Sequence, residues 1–161
     1  MQIFVTHPEP YESAAALDDR RLNKMIVETA QILSTARRQL GDDSPILYKA
    51  THANHPCVKW AAHSYHNHVW LKSLFYWLCR VREDRGFGAH LTATKLGAEL
   101  NIVNHKLFKR VHQTPFVNCT PNKEMDTLEA YRLLLNTKWD NDKLPPKWTR
   151  SAPPFWRTTH G

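Results

Sequence analysis

The sequence predicts a mainly α fold: a single compact helical domain with a short extended N-terminal segment and an irregular C-terminal tail rich in tryptophan and proline. Two observations predict the helices. Apolar residues recur at intervals of three and four over long stretches, and glycine or proline separates those stretches. A third observation predicts the core, because 42% of the 161 residues are apolar and six are tryptophan, which disfavours disorder. We therefore predict one domain over residues 1–161, with residues 139–161 wrapping its surface.

The N-terminal third predicts a short extended segment followed by one long helix. Residues 3–5 are apolar and end at a His-Pro pair, and Pro10 is expected to keep the next residues non-helical. A helix is then predicted over residues 12–38 and is ended by the turn-forming residues 41–45. Its buried face is predicted from residues at helical spacing: Leu22, Met25, Ile26, Thr29, Ile32, Leu33 and Ala36.

The second long helix is predicted over residues 56–83, with Pro56 in its first turn. Because this segment is apolar around much of its circumference, we expect it to be the central and most buried helix. Residues 85–88, with two glycines, end it.

The remaining elements are shorter. Residues 91–100 and 104–111 predict two short helices, and residues 114–121 predict a loop. Asp126 with Glu129 resembles a capping box and predicts the start of a last helix. From residue 139 onward prolines replace the periodic apolar residues, which predicts the irregular tail.

Charge and cysteine content indicate the class of protein. The 22 Lys and Arg outnumber the 15 Asp and Glu, giving a formal charge of +7, so a polyanionic partner is expected. The three cysteines are widely spaced without a Cys-x-x-Cys pair, which indicates reduced thiols rather than a disulfide framework. No signal peptide and no apolar run long enough to span a membrane is apparent.

The first candidate site is a polar stripe on the predicted helix 12–38. At about 100° per residue, five polar residues fall within about one quadrant: Arg21, Lys24, Glu28, Gln31 and Thr35. Glu28 lies at the border between the polar and apolar faces. A carboxylate there can be half desolvated and still reach a cleft. The alternative interpretation is an ordinary ion pair between Lys24 and Glu28 on a solvated face.

The second candidate site is residues 48–60, at the start of the second helix. Its side chains include Tyr48, Lys49, His52, His55 and Trp60, next to a helix N-terminus that favours phosphate. The histidines here and at positions 63, 66 and 68 also suggest zinc, but no His-Glu-x-x-His, Cys-x-x-Cys or paired acid accompanies them. We therefore expect no metal and no other cofactor.

The third candidate site is the tail, where basic residues alternate with aromatic ones. Such a pattern can neutralise phosphates while rings stack on bases. The alternative is that the tryptophans anchor the tail to the core and leave the lysines in solvent. The residues concerned are Lys138, Trp139, Lys143, Lys147, Trp148, Arg150, Phe155, Trp156 and Arg157.

These three regions together resemble one family. Residues 17–33, LDDRRLNKMIVETAQIL, look like the first long helix of the pyrimidine-dimer DNA glycosylases (endonuclease V-type), in particular a phage and bacterial branch. Residues 48–60, 114–116, 130–132 and 147–156 resemble the same branch, so the resemblance covers nearly the whole chain in order.

The resemblance implies a catalytic role for Glu28, which aligns with the family's catalytic glutamate. In that family an amine attacks the sugar C1′, displaces the base as a Schiff base forms, and β-elimination then nicks the strand. The family's amine is exposed when Met1 is removed before a small second residue, and the bulk of Gln2 is expected to block that removal. The nucleophile is therefore the Met1 α-amine or Lys24, or the lyase chemistry is absent.

The resemblance also implies the partner, duplex DNA with a damaged or modified pyrimidine, in the cytoplasm of a bacterium or a phage-infected cell. No membrane and no obligate protein partner are expected. A non-catalytic DNA-binding module, or an enzyme acting on a modified base or nucleotide in the same cleft, remains an alternative. The residues predicted to contact DNA are Arg20, Arg21, Tyr48, Lys49, His52, His55, Trp60, Arg132, Lys138, Lys147 and Arg150, with His52, His55 and Trp60 expected on the wall opposite Glu28.

Overall fold

The computed structural model describes residues 2–158. Over this range the chain forms six α-helices, one 3-10 turn and no strand, which confirms the predicted mainly α fold. None of these helices is both long enough and apolar enough to cross a lipid bilayer. The elements are α1 (Pro10–Ala15), α2 (Asp19–Gln39), α3 (Pro56–His63), α4 (Tyr65–Asp84), α5 (Leu91–Asn101), the 3-10 turn (His105–Leu107) and α6 (Thr127–Asn141).

Helix α4 lies at the centre of the fold, because it packs against α1, α2, α3 and α5. Its buried side chains include Trp70, Leu71, Leu74, Phe75 and Leu78. The N-terminal segment, residues 3–6, is buried beside this core without forming a strand. The Phe4 ring meets the Tyr131 ring of α6 edge to face, with 6.3 Å between the ring centroids. This contact joins the N-terminal segment to α6.

The predicted helix 12–38 is wrong at its N-terminal end, where the structure has two helices. Pro10 does not prevent a helix; it begins α1, since the first turn needs no proline N–H. Helix α1 ends at Ala15, and Asp18, which has extended backbone geometry, caps α2 by accepting the Arg21 N–H. Asp18 is also buried and accepts the Trp139 indole N–H at 2.7 Å, so a tertiary contact fixes the break.

The predicted helix 56–83 is likewise divided, at Ser64. This buried serine has extended backbone geometry, and its hydroxyl accepts the Asn67 N–H at the start of α4. The apolar periodicity continues through the break, which is why the spacing alone predicts one helix. The predicted end at residues 85–88 is confirmed, because α4 stops at Asp84.

Two shorter predictions also need correction. Residues 104–111 form only the 3-10 turn His105–Leu107, whereas the helix predicted over 91–100 is present as α5. Helix α6 starts after Asp126, whose carboxylate accepts the Glu129 N–H, as the capping pattern predicts. It continues to Asn141, so Trp139 is a buried helical residue and the irregular tail begins after it.

A buried polar contact joins α2, α3 and α4. His68 is fully buried; its Nε2 accepts the Arg37 Nε–H at 3.1 Å, and its Nδ1 lies 3.2 Å from the Ala61 carbonyl oxygen. These contacts suit a neutral imidazole protonated on Nδ1. Burial, and secondly the positive charge of Arg37, lower the pKa of His68 to about 3. His68 is therefore a core residue and not part of a surface histidine cluster.

This contact predicts a loss of stability in mild acid. An unfolded histidine has a pKa near about 6.5, so between that pH and about 3 the unfolded chain binds a proton that folded His68 does not. The free energy of unfolding should fall by up to about 1.4 kcal/mol for each pH unit in this window. Urea titrations at several pH values should show a shallower fall for His68→Gln, whose amide can make both hydrogen bonds. The exposed His66 provides the control, and a His68→Gln profile identical to that of His66→Gln would contradict the assignment.

Candidate active site

A pocket of about 420 Å³ opens between α2, the N-terminal segment and α6. It brings together side chains from three separate parts of the sequence. Polar groups predominate on its surface, and five of its eight lining residues are charged. The lining residues are Gln2, Phe4, Arg20, Arg21, Lys24, Met25, Glu28 and Lys138.

Helix geometry explains the α2 side of the pocket. Lys24 and Glu28 are one turn apart, and Met25 lies beside them at the border of the buried face. Because the apolar face of α2 packs on α3, α4 and α5, the polar stripe must face outward, toward the pocket. Lys24 is exposed and Glu28 is half-buried, as expected for a carboxylate at that border.

The N-terminal segment forms the facing wall. Phe4 has a backbone φ of 44°, in the left-handed region that bulky residues rarely adopt. Gln2 and Phe4 both line the pocket, and the Gln2 amide N–H donates to the Cys119 carbonyl at 3.3 Å. Met1, predicted as a catalytic residue, lies outside the described residues.

The charged side chains of the pocket differ in whether they already form ion pairs. Arg21 binds both carboxylate oxygens of Asp142, at 2.8 and 2.9 Å, and also contacts Asp18 at 3.3 Å. This guanidinium holds the pKa of Asp142 below its usual range, and Arg20 and Lys138 act in the same direction. Arg21 is therefore a structural cation of the pocket wall, already neutralised by two carboxylates.

The other charged side chains of the pocket form no salt bridge within the described part of the chain. Among residues 2–158, none of Arg20, Lys24, Glu28 and Lys138 is in an ion pair within 4.0 Å. The alternative interpretation of Lys24 and Glu28 as a simple ion pair thus lacks the contact it requires. Glu28 is instead a half-buried carboxylate in a cationic pocket, with a primary amine one helical turn away.

A second pocket, of about 540 Å³, adjoins the first along α2. Arg20 lines both pockets, and Lys147 of the tail contributes to the second one. Asp19, also in its wall, accepts hydrogen bonds from Arg85 at 2.9 Å and from the Thr149 N–H at 3.1 Å. Arg20 and Lys147 thereby extend the cationic surface beyond Glu28.

The segment 48–60 does not contribute to the Glu28 pocket. Trp60 is buried among Trp70 and Phe116, and its indole N–H donates to the Pro115 carbonyl at 2.9 Å. The His55 ring caps α3 by accepting the Cys57 N–H, and the exposed His52 does not line the pocket. The expected wall of His52, His55 and Trp60 opposite Glu28 is therefore absent from this pocket.

Tyr48 and Lys49 also lie outside it. The Tyr48 hydroxyl is hydrogen-bonded to the Thr92 hydroxyl at 2.8 Å, which ties this loop to α5. Lys49 is exposed. DNA contacts by Tyr48, Lys49, His52 and His55 stay predictions, on a surface separate from the Glu28 pocket.

The tryptophans of the tail are anchors, as the second interpretation of that segment proposed. Trp139 stacks on Trp156 and meets Trp148 edge to face, and the Trp148 indole N–H donates to the Ala16 carbonyl at 2.9 Å. Arg132 donates to the Thr6 carbonyl at 3.0 Å, and its guanidinium lies over the Phe155 ring. These contacts hold the tail onto the core.

Arg150 is also predicted to bind DNA, but it packs on a tight turn. A Cβ atom at Gly86, where φ is +89°, would lie 2.7 Å from the Arg150 guanidinium. This contact explains the glycine at that position. Arg150 and Arg132 do not line the Glu28 pocket.

Sequence reasoning missed Phe4 and Asp142 as parts of the site. The sequence predicts Phe4 only as an apolar extended residue, and Asp142 lies in a tail whose pattern indicates only basic and aromatic residues. Neither has a local motif, because Phe4 reaches the pocket and Asp142 reaches Arg21 only through tertiary packing. A separate group of potential metal ligands, His55, Cys57 and Cys119, lies outside the pocket.

Comparison with known proteins identifies the family. A family model described as pyrimidine dimer DNA glycosylase matches residues 1–95, more than half of the chain. The match includes α1 to α4 and every lining residue of the Glu28 pocket except Lys138. No curated protein and no solved structure matches the chain. The chain therefore belongs to the pyrimidine dimer DNA glycosylase family.

Proposed function

We propose that this protein releases a damaged or modified pyrimidine from duplex DNA and then cleaves the strand at the abasic site. The observation that carries the proposal is the Glu28 pocket, in which a carboxylate and the Lys24 amine share a cationic cavity without an ion pair between them. The family match supports the general activity, DNA glycosylase. The choice of lesion and the lyase step are parts of the proposal.

The proposed reaction begins with attack of a neutral amine on the sugar C1′. The glycosidic bond breaks, its electron pair leaves with the base, and the base takes up a proton. Loss of a proton from the nitrogen and opening of the sugar ring give an imine, the Schiff base. Glu28 stabilises the developing positive charge at the sugar and transfers these protons. Removal of a C2′ proton then expels the 3′ phosphate and nicks the strand.

Two amines are candidates for the nucleophile. Lys24 lies in the pocket beside Glu28. The Met1 α-amine is supported by chemistry, because an α-amino group has a pKa of about 7.7–8 whereas that of a lysine is about 10.4, so more of the α-amine is neutral at pH 7. Gln2, which follows Met1 in the sequence, lines the same pocket. Gln2 is expected to retain that methionine.

The cationic side chains have a binding role in this proposal. Arg20, Lys138 and Lys147 would contact the phosphates that flank the lesion, since they surround the two adjoining pockets. Damaged, weakly stacked bases cost the least free energy to expose, which favours a lesion over normal DNA. Affinity should fall steeply with salt concentration.

Borohydride trapping tests the reaction and identifies the amine. Duplex DNA containing a pyrimidine dimer or an abasic site is incubated with the protein in borohydride, which reduces the Schiff base to a stable covalent adduct. We expect an adduct with both substrates and none with undamaged duplex. Loss of the adduct in Lys24→Gln would assign Lys24, and its retention would assign the α-amine, which acetylation of Met1 should then block.

Lys95→Gln, on the exposed surface of α5, is the matched control and should form the adduct normally. Salt-dependent DNA binding with neither adduct nor base release from any damaged or modified pyrimidine would contradict the proposal. That result would identify a non-catalytic DNA-binding module. Activity confined to free nucleotides would contradict it equally.

A further inference from the structure

Three potential metal ligands meet outside the Glu28 pocket. His55 and Cys57 lie at the start of α3, and Cys119 comes from the loop that precedes α6. One ligand atom from each residue lies within 4.8 Å of the other two. Cys57 is fully buried, and His55 and Cys119 are half-buried, so the group lies at the edge of the core.

The spacing of the two sulfurs suits a metal better than a disulfide. The Cys57 and Cys119 Sγ atoms are 3.7 Å apart. Two thiolates bound tetrahedrally to Zn²⁺ at about 2.3 Å lie about 3.8 Å from each other, whereas a disulfide needs about 2.05 Å. The sulfurs are therefore already at the separation that a tetrahedral ion requires.

The surrounding hydrogen bonds hold the ligand-bearing backbone in place. The Cys119 N–H donates to the Tyr131 hydroxyl at 3.2 Å, and that hydroxyl donates to the Val117 carbonyl at 3.1 Å. Tyr131 is itself fully buried on α6. The start of α3 and this braced loop hold the two cysteines in place. To bind an ion, His55 would give up its hydrogen bond with the Cys57 N–H, because a neutral imidazole has only one unprotonated nitrogen.

We infer that His55, Cys57 and Cys119 form a binding site for a thiophilic divalent cation of the Zn²⁺ class. Two thiolates and an imidazole are among the commonest ligands of this ion, and three protein ligands leave a fourth position for water. The buried Gln2 Oε1 has no hydrogen-bond partner among the described residues, although its amide nitrogen bonds Cys119. A metal-bound water is the donor that we expect for this oxygen.

The ion would connect the start of α3, the loop before α6 and the N-terminal segment. Gln2 provides the link to the N-terminal segment, because its amide N–H donates to the Cys119 carbonyl. Because Gln2 and Phe4 line the Glu28 pocket, metal binding should stabilise its N-terminal wall. The site stands on its own geometry and does not depend on the proposed reaction.

Metal titration of the purified, reduced full-length protein tests the site. We expect one equivalent of Zn²⁺ per chain, and Co²⁺ in its place should show the absorption of tetrahedral thiolate coordination. Binding should release protons from the thiols and raise the thermal unfolding midpoint by several degrees. Cys119→Ser and His55→Asn should each weaken binding by about 100-fold or more; asparagine retains the ability to cap α3.

Cys79→Ser is the matched control, because Cys79 is the one cysteine outside the group, and it should bind like the wild type. Far-ultraviolet circular dichroism of the metal-free variants shows whether each is folded. No stoichiometric binding by the reduced wild type would overturn the inference. Equal affinity in Cys119→Ser, or a disulfide on mild oxidation in a protein that binds no metal, would overturn it as well.

Discussion

Replacing Glu28 by glutamine is expected to slow base release and strand cleavage by about 10²–10⁴-fold, the usual contribution of a general acid–base group. The amide preserves the size of the side chain but can neither carry the negative charge nor exchange the proton. Because Glu28 is half-buried and forms no ion pair with any other residue of the range 2–158, the substitution should leave the fold intact. DNA affinity should be equal or higher, since a negative charge leaves a cationic pocket.

Single-turnover cleavage of a dimer-containing duplex measures this effect directly. Glu129→Gln is the control, because Glu129 is an exposed glutamate on α6 outside the pocket, and its rate should match the wild type. A Glu28→Gln rate within tenfold of the control would remove Glu28 from the reaction. Reduced binding with an unchanged cleavage rate would give it a structural role instead.

The largest expected effect on stability comes from Arg37. This arginine is 3% exposed and donates to the Glu99 and Leu100 carbonyls, at 2.9 and 2.7 Å, in addition to His68. These carbonyls belong to the last turn of α5, whose C-terminal end is thereby capped by a cation. Arg37→Met fills the space but leaves three buried acceptors without their donor, which should cost about 2–4 kcal/mol of unfolding free energy.

Urea unfolding at pH 7 measures this loss of unfolding free energy, with Arg80→Met as the control. The Arg80 side chain is 55% exposed and pairs with Asp84 on the surface of α4, so its loss should change stability by less than about 0.5 kcal/mol. Equal stabilities of the two variants would show that the buried arginine makes no net contribution to the free energy of unfolding. Such a result would also weaken the assignment of His68 as its neutral partner.

The fold could be predicted from the sequence where local patterns determine it. The predictions were wrong where tertiary contacts determine it. Apolar periodicity predicts α2, α4 and α5, and Asp126 marks the start of α6. The same periodicity runs through Asp18 and Ser64, where buried capping side chains interrupt the helices. Whether such a residue continues a helix or caps the next one depends on its partners, Trp139 in the case of Asp18.

The candidate site could likewise be predicted only where helical spacing determines it. Arg21, Lys24 and Glu28 share one helix, so helical spacing alone places them on one stripe, and all three line the pocket. The placement of His52, His55 and Trp60 depends on the path of a loop, which spacing does not determine, and Trp60 proves to be a core residue. Cys57 and Cys119 are 62 positions apart without a spacing motif, so only the folded chain reveals their contact.

The crystal structure of Glu28→Gln bound to a dimer-containing duplex is the most direct test of the role of the Glu28 pocket. The proposed function predicts that the C1′ atom of the damaged nucleotide lies in this pocket, beside residue 28 and within reach of the attacking amine. It also predicts flanking phosphates on Arg20, Lys138 and Lys147. Duplex bound on another face, with the pocket holding only solvent, would contradict it.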